Sequence, residues 1–78
     1  MKKGLVEISP DLIKDALKFP PDWQFEDIRM IVKYGNIPVI VAVISGSDFP
    51  EEENGKIKKC EIICHKEYVR FEVKEKEF

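Results

Sequence analysis

The longest apolar region of the chain covers residues 28–45 and reads IRMIVKYGNIPVIVAVIS. Two β-rich segments within it, residues 28–34 and 37–45, lie on either side of Gly35-Asn36. A two-residue Gly-Asn loop favours a primed β-turn, whose twist matches that of the strands in a hairpin. We therefore predict an antiparallel hairpin with Gly35 and Asn36 at its tip.

The predicted register makes this hairpin apolar on both faces. One face pairs Tyr34 with Ile37, Val32 with Val39, Met30 with Val41 and Ile28 with Val43. The other face is half apolar, and pairs Lys33 with Pro38, Ile31 with Ile40, Arg29 with Ala42 and Asp27 with Ile44. A sheet that is apolar on both faces needs a covering layer on both. One helix covers one face, so we expect self-association to cover the other.

A short strand and one helix precede the hairpin. Residues 4–8 read as a strand, and Ser9-Pro10-Asp11 is a typical helix start, with a capping serine and a proline at the first helical position. The apolar side of the predicted helix consists of Leu12, Ile13, Ala16 and Leu17. Pro20-Pro21 ends the helix, which we place over residues 10–18.

A second hairpin is predicted near the end of the sequence, after a polar loop over residues 46–55. Its strands are residues 56–64 and 69–75, with Lys66-Glu67 at the tip. The predicted pairs are Cys64/Val69, Ile62/Phe71 and Cys60/Val73 on one face, and His65/Tyr68, Ile63/Arg70, Glu61/Glu72 and Lys59/Lys74 on the other. The like-charge pairs cost stability, so the register can slip. A helix over residues 56–68 is the alternative, although the β-type residues favour strands. The predicted fold class is α+β.

Composition limits the classes of function. The 78 residues suffice for one domain with a thin core, and 13 basic against 15 acidic side chains give a net charge of −2. This balance argues against general nucleic-acid binding. We expect neither a secretory signal nor a membrane span, because the longest uninterrupted apolar run, residues 37–44, is far shorter than the roughly 20 residues that a bilayer requires.

The two cysteines and the single histidine do not form a recognisable reactive centre. On a strand, Cys60 and Cys64 are too far apart for a disulfide, and His65 points to the face opposite Cys64. We interpret both cysteines as reduced and buried, and expect no cofactor and no enzymatic activity. A zinc ion shared between subunits is the alternative for this cluster.

Aromatic and cationic side chains are the candidates for ligand binding. The candidate residues are Trp23, Arg29, His65, Tyr68 and Arg70. Trp23 either packs in the core or offers a stacking surface. His65, Tyr68 and Arg70 are expected together on the solvent side of the second hairpin, where they either bind an anion or form an ordinary solvated face. Arg29 is expected to pair with Asp27 or with a carboxylate of a partner.

Residues 6–22 (VEISPDLIKDALKFPPD) and 43–51 (VISGSDFPE) resemble segments of short accessory proteins encoded by bacterial phages and prophages. The resemblance covers about a third of the chain and implies a strand, a capped helix and a hairpin. It also implies action in the cytoplasm of a bacterial host, including interference with host defence. No functional residue is transferred by it, because the matching positions are fold-forming ones.

Two hypotheses for function remain. The first is a homo-oligomeric binding protein that captures a small anionic, nucleotide-like ligand at a subunit boundary. The second is a protein–protein interaction module that inhibits or adapts a host protein. A pocket at a subunit boundary would favour the ligand, and a bare apolar surface would favour a protein partner.

Overall fold

A computed structural model describes residues 2–65 and 70–76, with the backbone alone at positions 33 and 34. The chain forms β1 (Lys3–Glu7), α1 (Pro10–Asp15) followed by a 3₁₀ turn (Ala16–Lys18), β2 (Gln24–Lys33), β3 (Ile37–Ser45), β4 (Lys58–His65) and β5 (Arg70–Glu75). The predicted α+β class is confirmed. The prediction of a strand and not a helix within residues 56–68 is also confirmed for the described residues, which form β4.

The five strands form one mixed sheet in the order β2-β3-β1-β4-β5. The first strand is central: β1 pairs antiparallel with β3 and parallel with β4, and so joins the two hairpins. α1 lies on one face of the sheet, where Leu12 packs in a core cluster with Val6, Ala42 and Cys60. We call this the helix face. The opposite face has a smaller buried cluster of Leu5, Val41 and Val43.

The β2–β3 hairpin is present, but the predicted register is wrong by one residue. Lys33 pairs with Ile37, so Tyr34 joins Gly35 and Asn36 in a three-residue loop. Gly35 and Asn36 have φ of 70° and 60°, in the left-handed region that glycine and asparagine tolerate best. The shift changes which side chains share a face. On the helix face Ile28 now lies opposite Ala42, Met30 opposite Ile40 and Val32 opposite Pro38.

The β4–β5 hairpin also differs from the predicted register, by two residues. Cys64 pairs with Phe71, Ile62 with Val73 and Cys60 with Glu75. A shift of two residues keeps every side chain on its predicted face. It also removes the Glu61/Glu72 pair, because Glu61 now lies opposite Lys74 and Glu72 opposite Ile63. Lys59 no longer faces Lys74, but its carbonyl accepts from the Lys76 amide at 2.8 Å, so it lies opposite another lysine.

The predicted helix over residues 10–18 is confirmed as α1 and its 3₁₀ extension. The Ser9 hydroxyl accepts a hydrogen bond from the Leu12 amide at 3.2 Å, and Pro10 occupies the first turn. The predicted apolar side is divided in the structure. Leu12 is buried, whereas Ile13 and Leu17 are 66% and 97% exposed.

The connection from β3 to β4 passes over the start of β1. The Lys3 amide donates to the Pro50 carbonyl, and Phe49 inserts beside Gly4 in the core. A Cβ atom on Gly4 would lie 2.7 Å from both Phe49 and the Cys60 Sγ, so only glycine fits there. The predicted polar loop therefore supplies a core residue.

Candidate functional site

The most unusual surface of the protein is a set of large apolar side chains left uncovered on the helix face. We call it the apolar patch. It consists of Ile13, Leu17, Phe25, Ile28, Met30, Val32 and Ile40, which are between 53% and 97% exposed. Its β2 and β3 members share a face because Ile28, Met30 and Phe25 lie opposite Ala42, Ile40 and Ile44. The patch is thus the half of the helix face that α1 does not cover.

The orientation of α1 makes Ile13 and Leu17 part of the same patch. Asp11 and Asp15 line a cleft against β4, and the buried Leu12 points at the sheet. Successive helical residues are about 100° apart, so Ile13 lies beyond Leu12 on the side away from that cleft. The Ile8 amide also donates to the Ile40 carbonyl at 3.0 Å, so the chain enters the helix beside β3. The exposed flank of α1 therefore faces the bare part of β3 and β2.

The size of the patch distinguishes it from ordinary surface hydrophobicity. At roughly 200 Å² for a fully exposed side chain of this size, the seven residues expose on the order of 900 Å². The largest apolar patch on a typical monomer is about 300–600 Å². The total accessible surface of this small protein is 5725 Å². The seven residues thus contribute roughly a sixth of the surface, and exposed apolar area on this scale is typical of a protein-binding surface.

The edge of β2 next to the patch is protected against pairing with another strand. The Asp27 carboxylate accepts a hydrogen bond from the Ile28 amide at 2.8 Å and pairs with the Arg29 Nε at 3.3 Å. Those two contacts, first the amide and then the guanidinium, lower the pKa of Asp27 below its ordinary value. A register shift between Phe25 and Asp27 also bends the strand. Charges and bulges of this kind disfavour edge-to-edge association.

Trp23 is a core residue in this structure. Its residual exposure is 7%, and its indole Nε1 donates to the Asp48 carboxylate at 3.0 Å. Phe19 and Phe49 both have ring centroids 5.0 Å from the Trp23 ring. Gly46 is required beneath the indole, since a Cβ there would come within 2.5 Å of it. The structure therefore places Trp23 in the core and not on a stacking surface.

Of the other predicted ligand residues that the structure describes, His65 and Arg70 lie together, and Arg29 lies far from them. Arg29 is on the edge strand β2, where its predicted pairing with Asp27 is confirmed. His65 and Arg70 form a cross-strand pair on β4 and β5, at the other edge of the sheet. Strands are about 4.8 Å apart, so the two edges are separated by roughly 19 Å. Tyr68 lies outside the described residues.

The surroundings of His65 are of mixed charge. The His65 Nε2 lies 2.9 Å from the Glu72 Oε2, and this contact is the main reason that the pKa of Glu72 is below its ordinary value. Arg70 and Lys74 share this face with Glu61 and Glu72. Because anionic and cationic side chains alternate, the face is a weak attractor of an anionic ligand.

A cleft of about 280 Å³ lies between α1 and β4. Its lining includes Asp11 and Asp15 of α1 and one basic residue, Lys76. Glu7 and Glu61 also border it, from strand positions that alternate to the face away from the helix. This excess of negative charge repels a nucleotide. The cleft therefore gives no support to the capture of an anionic ligand.

The two cysteines lie on one face of the sheet and the histidine lies on the other, as the alternation of side chains along a strand predicts. Cys60 and Cys64 are free thiols on the helix face, and His65 is on the opposite face. Within residues 2–65 and 70–76, no group of three or more potential ligands is placed to hold a metal ion. In the same part of the chain, no helix is long and apolar enough to cross a bilayer.

Comparisons with known proteins give no relative. No protein-family model matches the chain, and no significantly similar curated protein or solved structure was found.

The sequence contained only part of the signal for the patch. Residues 28–45 are apolar on both faces of the predicted hairpin, and this predicted an uncovered surface. Which side chains form that surface depends on the one-residue shift in the register of β2 and β3. The contribution of Ile13 and Leu17 was missed, because helical periodicity alone places them with Leu12.

Proposed function

We propose that this chain is a small non-enzymatic binding protein that acts by protein–protein contact in the cytoplasm of a bacterial host, as the resemblance to phage accessory proteins implies. The observation in support is the apolar patch, whose seven residues together expose on the order of 900 Å². Such a patch on a soluble domain is normally covered by another protein chain.

The test is retention of a protein by the patch. Full-length tagged protein is expressed in a bacterial host together with an untagged copy and recovered by its tag. The variant Ile28→Lys places a charge in the patch, and Ile37→Lys is the matched control. Ile37 is 60% exposed and in the same hairpin, but on the opposite face.

The expected result is one dominant, near-stoichiometric protein, either the untagged copy or a host protein. It is retained by the original chain and by Ile37→Lys and lost by Ile28→Lys. Identical recoveries from all three proteins would overturn the proposal.

A second candidate function is capture of a small anionic, nucleotide-like ligand at a boundary between subunits. It is supported by the direct cross-strand pair of His65 and Arg70, which sets an imidazole beside a guanidinium at the edge of the sheet. Titration with linear and cyclic nucleotides, followed by thermal unfolding, tests it. Stabilisation that Arg70→Ala removes and Arg29→Ala preserves would support capture at this edge, and no stabilisation at millimolar nucleotide would exclude it.

A further inference from the structure

Building on the proposed function, we infer that the chain covering the apolar patch is a second copy of this protein, packed face to face on it across a two-fold axis.

The area of the patch matches what a stable homodimer needs. A standard-size specific interface buries roughly 800 Å² on each partner, and the patch exposes on the order of 900 Å². Homodimer interfaces are also more apolar than those of transient complexes. The seven residues of the patch have no charged side chain and no hydrogen-bonding group. A two-fold axis sets the same surface against itself, so an entirely apolar surface meets an equally apolar one.

The shape of the molecule also fits its own copy. α1 covers one half of the helix face and leaves the β2–β3 half bare. The covered half therefore stands above the bare half by about the thickness of one helix layer. Packed sheets are about 10 Å apart, similar to the height of that layer. With the two bare halves in contact, the helix of each copy lies level with the partner's sheet. Ile13 on α1 and Leu17 on its 3₁₀ extension then meet the partner's β2.

Face-to-face packing is favoured over extension of the sheet through β2. Edge pairing would need the outward amide of Ile28, which already donates to Asp27. It would also have to accommodate the register shift between Phe25 and Asp27. Edge pairing would in addition leave the patch exposed.

The experiment measures the mass of the purified full-length chain by sedimentation over a range of concentrations. The expected mass is twice that of the 9.1 kDa chain. Ile28→Lys should raise the dimer dissociation constant by roughly a hundredfold or more, because it buries a charge twice in the interface. Ile37→Lys should leave the dissociation constant within about threefold of the original value.

Leu17→Lys provides an independent variant, because a residue that is 97% exposed has no folding contact to lose. It should weaken the dimer at least about tenfold, with an unchanged circular dichroism spectrum. A monomer at all concentrations would overturn the inference, and so would a dimer that Ile28→Lys and Leu17→Lys leave intact. A monomer that still retains a host protein through the patch would overturn the inference alone. Absence of any patch-dependent partner would overturn the proposed function as well.

Discussion

Cys60 shows how position within the sheet changes the chemistry of one residue. It pairs with Val6 of the central strand and is 1% exposed. Burial raises the pKa of its thiol to about 11, with a smaller contribution from the carboxylate of Glu75. A thiol with this pKa is protonated at neutral pH and is therefore a poor nucleophile. The buried position thus fits a packing role for Cys60.

The raised pKa predicts a loss of stability in alkali. The unfolded chain releases the Cys60 proton near the ordinary pKa of 9.0, whereas the folded protein retains it to about 11. Between these values the folded state binds more protons, so the free energy of unfolding falls as pH rises, by roughly 2–3 kcal/mol in all. Urea unfolding of the original chain and of Cys60→Ala at pH 8 and at pH 10.5 measures this pH-dependent change in the free energy of unfolding. The variant should lose less stability than the original, and Cys64→Ala is the matched control. An equally steep loss in Cys60→Ala would contradict the prediction.

At the scale of the element, the β4–β5 hairpin shows electrostatics selecting a register. The tip residues Lys66 and Glu67 suggested a pairing in which Glu61 faces Glu72 and Lys59 faces Lys74. The observed register puts Glu61 opposite Lys74. Both registers bury the same apolar face, so hydrophobic burial does not distinguish them strongly. Replacement of the Glu61/Glu72 pair by Glu61/Lys74 favours the observed register.

Charge reversal tests that register, because the two registers predict opposite signs. With Lys74 opposite Glu61, Lys74→Glu should lower the free energy of unfolding by about 0.5–1 kcal/mol. With Lys74 opposite Lys59, the same variant would raise it. The double variant Glu61→Lys/Lys74→Glu should recover only part of the loss, because it restores the cross-strand pair but removes the contact of Glu61 with the Lys76 Nζ at 3.5 Å. Urea denaturation of the three proteins at low salt measures both effects.

Element boundaries and element positions differ in how far they could be predicted. The helix start at Ser9-Pro10 and the strand β3 follow from local chemistry, and both were predicted correctly. The tip of the first hairpin was wrong by one residue, although Gly35 and Asn36 adopt the expected positive φ. Inclusion of Tyr34 in the loop depends on which pairing aligns β2 and β3 with the rest of the sheet. That is a property of the whole sheet and not of the turn.

At the scale of the whole molecule, the flat shape of the protein accounts for its uncovered apolar patch. The principal extents are 37 × 27 × 19 Å, which corresponds to one sheet and one partial helix layer. In the described part of the chain, one short helix covers only part of the helix face of a five-stranded sheet. The uncovered half of the helix face is the direct consequence.

Coupling of folding to dimer formation predicts a thermal midpoint that depends on concentration. A tenfold increase in protein concentration should raise Tm by roughly 3–5 °C, because mass action favours the folded dimer. Calorimetry at two concentrations a hundredfold apart measures the shift. Ile28→Lys should show no concentration dependence, whereas Ile37→Lys should behave like the original chain. A constant Tm for the original chain would contradict coupled folding.

The sequence by itself determined the elements and their apolar character: a capped helix, two hairpins, and a hairpin segment too apolar to remain uncovered. These are local properties, set by capping, turn residues and periodicity over a few positions. Only the tertiary structure decided where the uncovered surface lies. Insertion of β1 between the hairpins, the one-residue shift in β2–β3 and the rotation of α1 about Leu12 together place the seven residues of the patch on one face. Those features depend on contacts between segments distant in the chain, and no local pattern encodes them.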